Sequence, residues 1–466
     1  MVEAIVPQGI SVAPATELGT GSGPARLTRS IGVLGGTLLT LSCLTPASSL
    51  FVIVPGLFTT QGTGTVLTLV IAAVLCIGVA FCYSELGTLA PSSGGEYAMV
   101  GTVVGRFLAW LVFVIALVVV LVIPPIMAVG TAAYLSSVLA VDHSLTGAIV
   151  MLLSVGMGLL QLRTNAWVTG AFMVLEVVAA AVVAGLGFAH VHRSAGSLLH
   201  PQVLGASGPS PLSGLVLVSG LAVALFVLQG FTTAVYLAEE MRQPRRTVVR
   251  TVLWTLGVGA VVIIVPTTAV VLGAPDLKAL TDGDLVAMVT GWSNSAVATF
   301  ISLCIALAIV NATIVMVIQN SRVLYASARD RAWPTPVNRA LGNLNRLGSP
   351  WIATLVVGLP GAALCFVDLT LLNQVTSVVV AALYLAVAVA ALTTRRARHR
   401  NASPWRMPWW PVVPVVVIAT LIYVLTQQPI PALLITAAVI AVAIAYWAVY
   451  LRRSPADRWV IMMPTE

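Results

Sequence analysis

Between Leu41 and Gly56 the chain reads LSCLTPASSLFVIVPG, which sets Ser42, Thr45, Pro46, Ala47, Ser48 and Ser49 inside an apolar stretch. A proline within a helix frees a carbonyl and costs roughly 3 kcal/mol. Hydrocarbon offers that carbonyl no partner, so such a stretch belongs where protein or a polar cavity surrounds it. A second interruption, LFVLQGFTTAVYLAEE at 225–240, places Phe226, Gln229, Gly230, Thr232 and Thr233 in another apolar run and ends on Glu239 and Glu240. Breaking a helix leaves unpaired N–H groups on one half and unpaired carbonyls on the other. The N–H ends attract a carboxylate and the carbonyl ends an ammonium or a cation, so a small zwitterion fits between them. A third candidate is Glu176, in NAWVTGAFMVLEVVAAAVVAG. At that depth an ionised carboxyl is costly unless water or a cation is close. Such a group either exchanges a proton, receives a substrate ammonium, or bonds a neighbouring helix.

The elements that must position these residues are membrane helices. The 466 residues are 59% hydrophobic and only 8% charged, against about 25% charged in soluble domains. Crossing the hydrocarbon takes about 20 apolar residues. Apolar runs fall near 31–57, 64–89, 107–140, 145–162, 166–190, 212–238, 248–273, 295–326, 351–367, 370–394, 409–426 and 430–451, which predicts an all-α integral membrane protein of about twelve spans. All of the 23 basic residues except Arg193 and Lys278 fall at alternate span ends. Positive charge stays on the cytoplasmic side, so both termini are expected in the cytoplasm, and the net charge of +8 reads as a topology signal with no nucleic-acid partner. Trp110, Trp167, Trp333, Trp351, Trp405, Trp409 and Trp410 sit near those same ends and are expected to form an interfacial belt. The five cysteines read as small buried hydrophobes. No metal or cofactor site is expected. The interrupted segments are the first and sixth spans, matching members of two five-span halves. Paired interruptions of that kind point to an inverted-repeat transporter; a pair of simple kinks is the competing reading.

Three segments carry a resemblance. YSELGTLAPSSGGEYAMVGTVVGRFLAW (83–110), GFTTAVYLAEEMRQPRRTVVRTVL (230–253) and SRVLYASARDRAWPTPVNRA (321–340) resemble segments of the amino acid–polyamine–organocation (APC) transporter superfamily, in the same order along the chain. The resemblance covers about residues 28 to 450. It implies the five-plus-five inverted-repeat fold of the bacterial leucine transporter with two further helices, and amino acid or amine substrates. The family's first span usually carries Gly-Ser-Gly-Ile-Phe where this chain has Ala47-Ser48-Ser49-Leu50-Phe51 behind Pro46, so glycine's backbone freedom is lost there. Some polyamine-type members have a similar Thr-Pro, which leaves amino acid and amine both open. The resemblance also makes Phe226 an aromatic lid, places Glu176 where proton-coupled members often carry a lysine, and makes Glu239 and Glu240 a cytoplasmic gate. Their other reading is a surface ion-pair network with Arg242, Arg245 and Arg246, with each exposed pair worth about 0–1 kcal/mol.

The expected organisation is a mobile cytoplasmic tail at 1–27, a first repeat at 28–208, a second at 209–394, and two last helices with a tail at 395–466. The function expected is proton-coupled secondary transport of an amino acid through the plasma membrane, by alternating access. The substrate site is expected at Thr45, Pro46, Ala47, Ser48, Ser49, Phe226, Gln229 and Gly230, with lipid and the coupling proton as the other partners. A polyamine or amine importer or exchanger of the same fold is the alternative. An integral-membrane enzyme is a distant one, because such enzymes need paired carboxylates, Ser/His arrangements or metal clusters near the membrane face.

Overall fold

The computed structural model describes residues 29–136, 139–160, 162–205, 208–395, 405–454 and 456–461. The 1–27 tail and most of the basic cluster at 395–400 lie outside the described residues, as do the side chains of Ala47, Arg163 and Trp167. Helices of twelve residues or more are labelled in chain order: α1 Val33–Leu44, α2 Thr65–Leu89, α3 Arg106–Leu135, α4 His143–Gly158, α5 Leu162–Ala189, α6 Gly214–Val227, α7 Pro244–Gly273, α8 Ser295–Arg329, α9 Trp351–Leu364, α10 Leu369–Thr393, α11 Val412–Thr426 and α12 Ile430–Tyr446. Eight helical stretches among the described residues are long and apolar enough to cross a membrane, and α4, α9 and α11 are shorter apolar helices. The protein is an all-α membrane protein. Its one departure among the described residues is a small antiparallel hairpin, Gln202–Gly205 with Gly208–Pro211. The hairpin packs on the turn after the first interrupted helix, where Thr63 Oγ1 accepts from the Gln202 amide at 2.8 Å.

The stretch Val33–Leu89 is 57 residues long, about 85 Å if straight and far beyond one crossing of roughly 30 Å. It breaks twice. At Thr45 the backbone turns left-handed (φ 51°, ψ 65°), a conformation that costs an L-residue about 1–2 kcal/mol. Pro46 then opens a new turn, where its missing N–H is no loss. Ser49–Ile53 is wound as a π-helix, and the Tyr134 hydroxyl donates to the Phe51 carbonyl at 2.5 Å. The second break is at Gly62, with φ 53°.

The tryptophans expected to form a belt are only partly exposed: Trp351, Trp409 and Trp410 are, and Trp110 is not. Trp110 is buried, donates to the Ala443 carbonyl and stacks on Tyr446. It is core because the last described segment folds back against α3. Trp459 has no exposed surface and packs on Tyr97, Trp110 and Phe113. Its indole donates to the Arg106 carbonyl. The Trp459 and Val460 amides donate to the carbonyls of Arg331 and Asp330, just beyond α8. An all-aromatic pocket of this kind leaves a large void when emptied. Trp459→Ala is expected to cost about 3–5 kcal/mol, read as a lower unfolding temperature of the purified protein in detergent.

Candidate functional site

The two interruptions meet. After α6 the chain passes through Gly230 at φ 122° and continues as the 3-10 helix Phe231–Glu240. A Cβ on Gly230 would lie 2.6 Å from Leu44 Cα and 2.7 Å from Leu44 N. Only glycine, with no side chain and free access to positive φ, permits this approach. The end of α1 is also tied to α8. The Asn311 side-chain amide donates to Ser42 Oγ at 3.2 Å, and the Cys43 thiol to Gln319 Oε1 at 3.0 Å. Asn311 and Gln319 therefore serve helix packing, whereas Asn320 reaches the cavity beside the break and donates to the Val120 carbonyl.

That cavity is lined by the polar residues Cys43, Glu96, Gln229, Thr232, Thr233, Tyr236 and Asn320, by Gly230, and by the apolar Val119, Ile123, Met316 and Leu383. It offers about 20 Å³ to water-sized spheres, room for about one water. Of the residues singled out in the second interruption, Gln229, Gly230, Thr232 and Thr233 line it. Thr45, Ser48 and Ser49 are buried on the far side of the α1 break. The Ser49 hydroxyl donates back to the Leu44 carbonyl, one of the carbonyls that the break frees. The Ser48 hydroxyl is buried with no hydrogen-bond partner among the described residues. Pro46 is buried in the first turn after the break, and Phe226 is half-buried one turn before Gly230. Glu176 is fully buried in α5.

Glu239 and Glu240 do not form a surface network. Glu240 Oε1 accepts from Arg322 Nε at 2.9 Å, and Glu239 Oε1 from Arg329 Nη1 at 2.6 Å. All four side chains are largely buried. These partners lie on α8, far from the neighbouring arginines that the sequence offered. Glu239 also accepts from the Ser92 hydroxyl and the Ser93 amide. Tyr97 donates to Asp330, which in turn pairs with Arg329. Burial, and after it the carboxyl of Asp330, raises the Tyr97 hydroxyl well above the ordinary tyrosine value. Ser30 and Ile31 donate their amides to the Glu240 carbonyl, and a parallel bridge joins Ile31 to Met241. Four separate segments are thus clamped together at the arginine-rich end.

Sequence reasoning missed Glu96 and the Ser92–Ser93 pair. Both belong to the connection between α2 and α3, in the segment PSSGGEY. A usable signal was there. A Gly-Gly step just before an acidic residue, between two spans, marks a close backbone approach. Gly95 has φ 59°, and a Cβ there would lie 2.4 Å from the Tyr236 ring. Glu96 is thereby delivered beneath the cavity.

The sequence profile of the family described as Amino acid permease matches residues 31–450. Among curated proteins, the chain is 23% identical to the methylthioribose transporter of Bacillus subtilis, over 86% of this chain and 89% of the relative. It is 25% identical to a branched-chain amino acid permease of Lactococcus lactis, over 83% and 86%. It is 27% identical to an uncharacterized transporter of Mycobacterium tuberculosis, over 73% and 74%.

Two outcomes follow from this geometry. Gly230→Ala combines a positive-φ penalty with a backbone clash and is expected to cost about 3 kcal/mol. Gly56→Ala, on an open helix face with nothing within 4 Å, should leave the melting temperature unchanged or raise it. Arg322→Met strands a buried carboxylate and is expected to cost about 3–5 kcal/mol, most of it recovered by adding Glu240→Leu. Thermal unfolding of the single and double variants measures both.

Proposed function

This chain belongs to the amino acid permease family, and on that premise we propose that it is a secondary transporter, moving an amino acid across the plasma membrane by alternating access. The observation that carries the reading is the backbone contact of Gly230 with Leu44, beside a cavity whose lining combines polar groups with aliphatic ones. Two helices broken at one depth offer free backbone groups to the charged ends of an amino acid. Val119, Ile123, Met316 and Leu383 suit an apolar side chain. In this reading the chain crosses the membrane twelve times. Residues 28–208 and 209–394 form the two inverted repeats, residues 395–466 add two helices, and both termini face the cytoplasm, as the arginine distribution favours. Thr45, Pro46, Ala47, Ser48 and Ser49 supply the α1 half of the site, and Phe226, Gln229 and Gly230 the α6 half.

The pairs Glu239–Arg329 and Glu240–Arg322 act as the cytoplasmic gate. They join the segment after the α6 break to α8, so inward opening must separate them. Glu176, buried in α5, exchanges the coupling proton. The amine alternative keeps one observation in its favour: the lining includes the carboxyl of Glu96 and no basic side chain among the described residues. The relatives named for methylthioribose and for branched-chain amino acids define the first probes.

Purified protein in proteoliposomes, offered radiolabelled leucine, methylthioribose and putrescine under imposed proton or sodium gradients in turn, tests the reading. Saturable leucine uptake driven by the inward proton gradient is expected. Putrescine uptake without leucine uptake selects the amine alternative. In Glu176→Gln, leucine uptake is expected to lose its dependence on external pH; an unchanged pH profile removes Glu176 from the coupling.

A further inference from the structure

Below the contact of the two breaks lies a carboxyl that the gate does not use. Glu96 opens the short helix Glu96–Val103, in the connection between α2 and α3, and is 1% exposed. Its Oε1 accepts from the Tyr83 hydroxyl at 3.1 Å, and Tyr236 reaches the same carboxyl. Its Oε2 is buried with no hydrogen-bond partner among the described residues. The cavity opens on this carboxyl. We propose that Glu96 is a proton-binding site of the transport cycle, distinct from Glu176, which takes a proton on Oε2 from the cavity while the arginine-rich end is closed and releases it to the cytoplasm when that end opens.

The groups around the carboxyl favour such a role. Tyr83 on α2, Tyr236 on the 3-10 helix and Tyr384 on α10 are the titratable groups that face it. Cys43 from α1 shares the cavity, α3 contributes only Val119 and Ile123, and α8 contributes Met316 and Asn320. The arginines of α8 lie in the gate, Arg322 on Glu240 and Arg329 on Glu239 and Asp330. An anion at Glu96 thus meets tyrosine hydroxyls and its own backbone N–H, with no cation beside it among the described residues, and an anion so buried is costly. Burial pushes the carboxyl up to about 7, against the smaller opposing pull of its own backbone N–H and of the Tyr236 and Tyr83 hydrogen bonds. Water reaching Glu96 on opening returns it towards the ordinary carboxylate range.

The sign follows from linkage. The closed form binds the proton more tightly than the hydrated open form, so protonation favours closure. That preference is complete below the ordinary carboxyl value and fades as pH rises through about 7. Across that window the ratio of closed to open forms changes by up to about three hundredfold. A near-neutral cytoplasm then accepts the proton as the gate opens. The protonation step balances simply: an Oε2 lone pair forms the O–H bond, and on opening the proton passes to water, leaving the carboxylate.

The proposal rests on the transport reading for its purpose, while its first test is independent of it. Infrared difference spectra of the full chain in liposomes, titrated between about pH 5 and 9, are expected to show a protonated-carboxyl band with a midpoint near neutrality. The band should disappear in Glu96→Gln, persist in Glu176→Gln and shift in Glu96→Asp. Wild type and Glu96→Gln giving the same titration would overturn the proposal, as would a Glu96 that stays ionised throughout. In the transport arm, Glu96→Gln is expected to flatten the dependence of leucine uptake on internal pH by at least severalfold. A full internal-pH dependence in that variant counts against the coupling role. A titrating Glu96 in a protein that moves no probe would instead defeat the transport reading and leave the proton site standing.

Discussion

The fold turns on one approach between two backbones, Gly230 against Cys43 and Leu44. A helix that breaks inside hydrocarbon must find partners for its freed groups within the protein. Bringing two breaks together solves this for both at once, provided that neither carries a side chain in the gap. Gly230 meets the condition on one strand of the contact. On the other, Thr45 takes the left-handed conformation, and Ser49 caps the Leu44 carbonyl. The surrounding helices hold the strain in place, because Ser42 and Cys43 are each bonded to α8. The polar cavity beside the contact is a consequence of this arrangement: its lining residues are those that flank the two breaks and the helices which brace them.

The arginine-rich end obeys a different rule. Buried ion pairs add little net stability, since desolvation offsets most of their attraction, but a member left alone is heavily penalised. A cluster such as Glu239, Arg329 and Asp330 with Tyr97 and Ser92 is therefore all or nothing. In the proposed cycle this favours two discrete states over a continuum of partly opened ones. The same feature explains why the gate and the cavity can be close without sharing charges. Each α8 arginine is held by acidic partners of its own, which leaves Glu96 to tyrosine neighbours.

Much of this was legible in the residues. The two interruptions stand out as Thr-Pro and Gln-Gly within apolar runs, and a composition with 8% charge leaves few other architectures. What periodicity and spacing could not supply was partnership across distance. Glu239 and Glu240 stand next to arginines in sequence, yet their ion pairs are to Arg322 and Arg329, some 80 to 90 residues on. The 3-10 winding of Phe231–Glu240 turns both carboxylates towards α8, and no local pattern announces that. Trp110 looked interfacial because it lies near a span end, but a later segment covers it. Glu96 was passed over because it sits in a connection, where an acidic residue is ordinarily solvated. Only the tight packing of Gly95 on Tyr236 draws it inside.

The clasp of residues 458–460 on the arginine-rich end has a consequence for biogenesis. Arg106 binds the carbonyls of Arg458 and Trp459, and the Trp459 ring fills the space between Tyr97 and the start of α3. During synthesis every helix from α1 to α12 leaves the ribosome before that ring does. The aromatic wall between Tyr97 and α3 can therefore be completed only after all twelve helices have been synthesised.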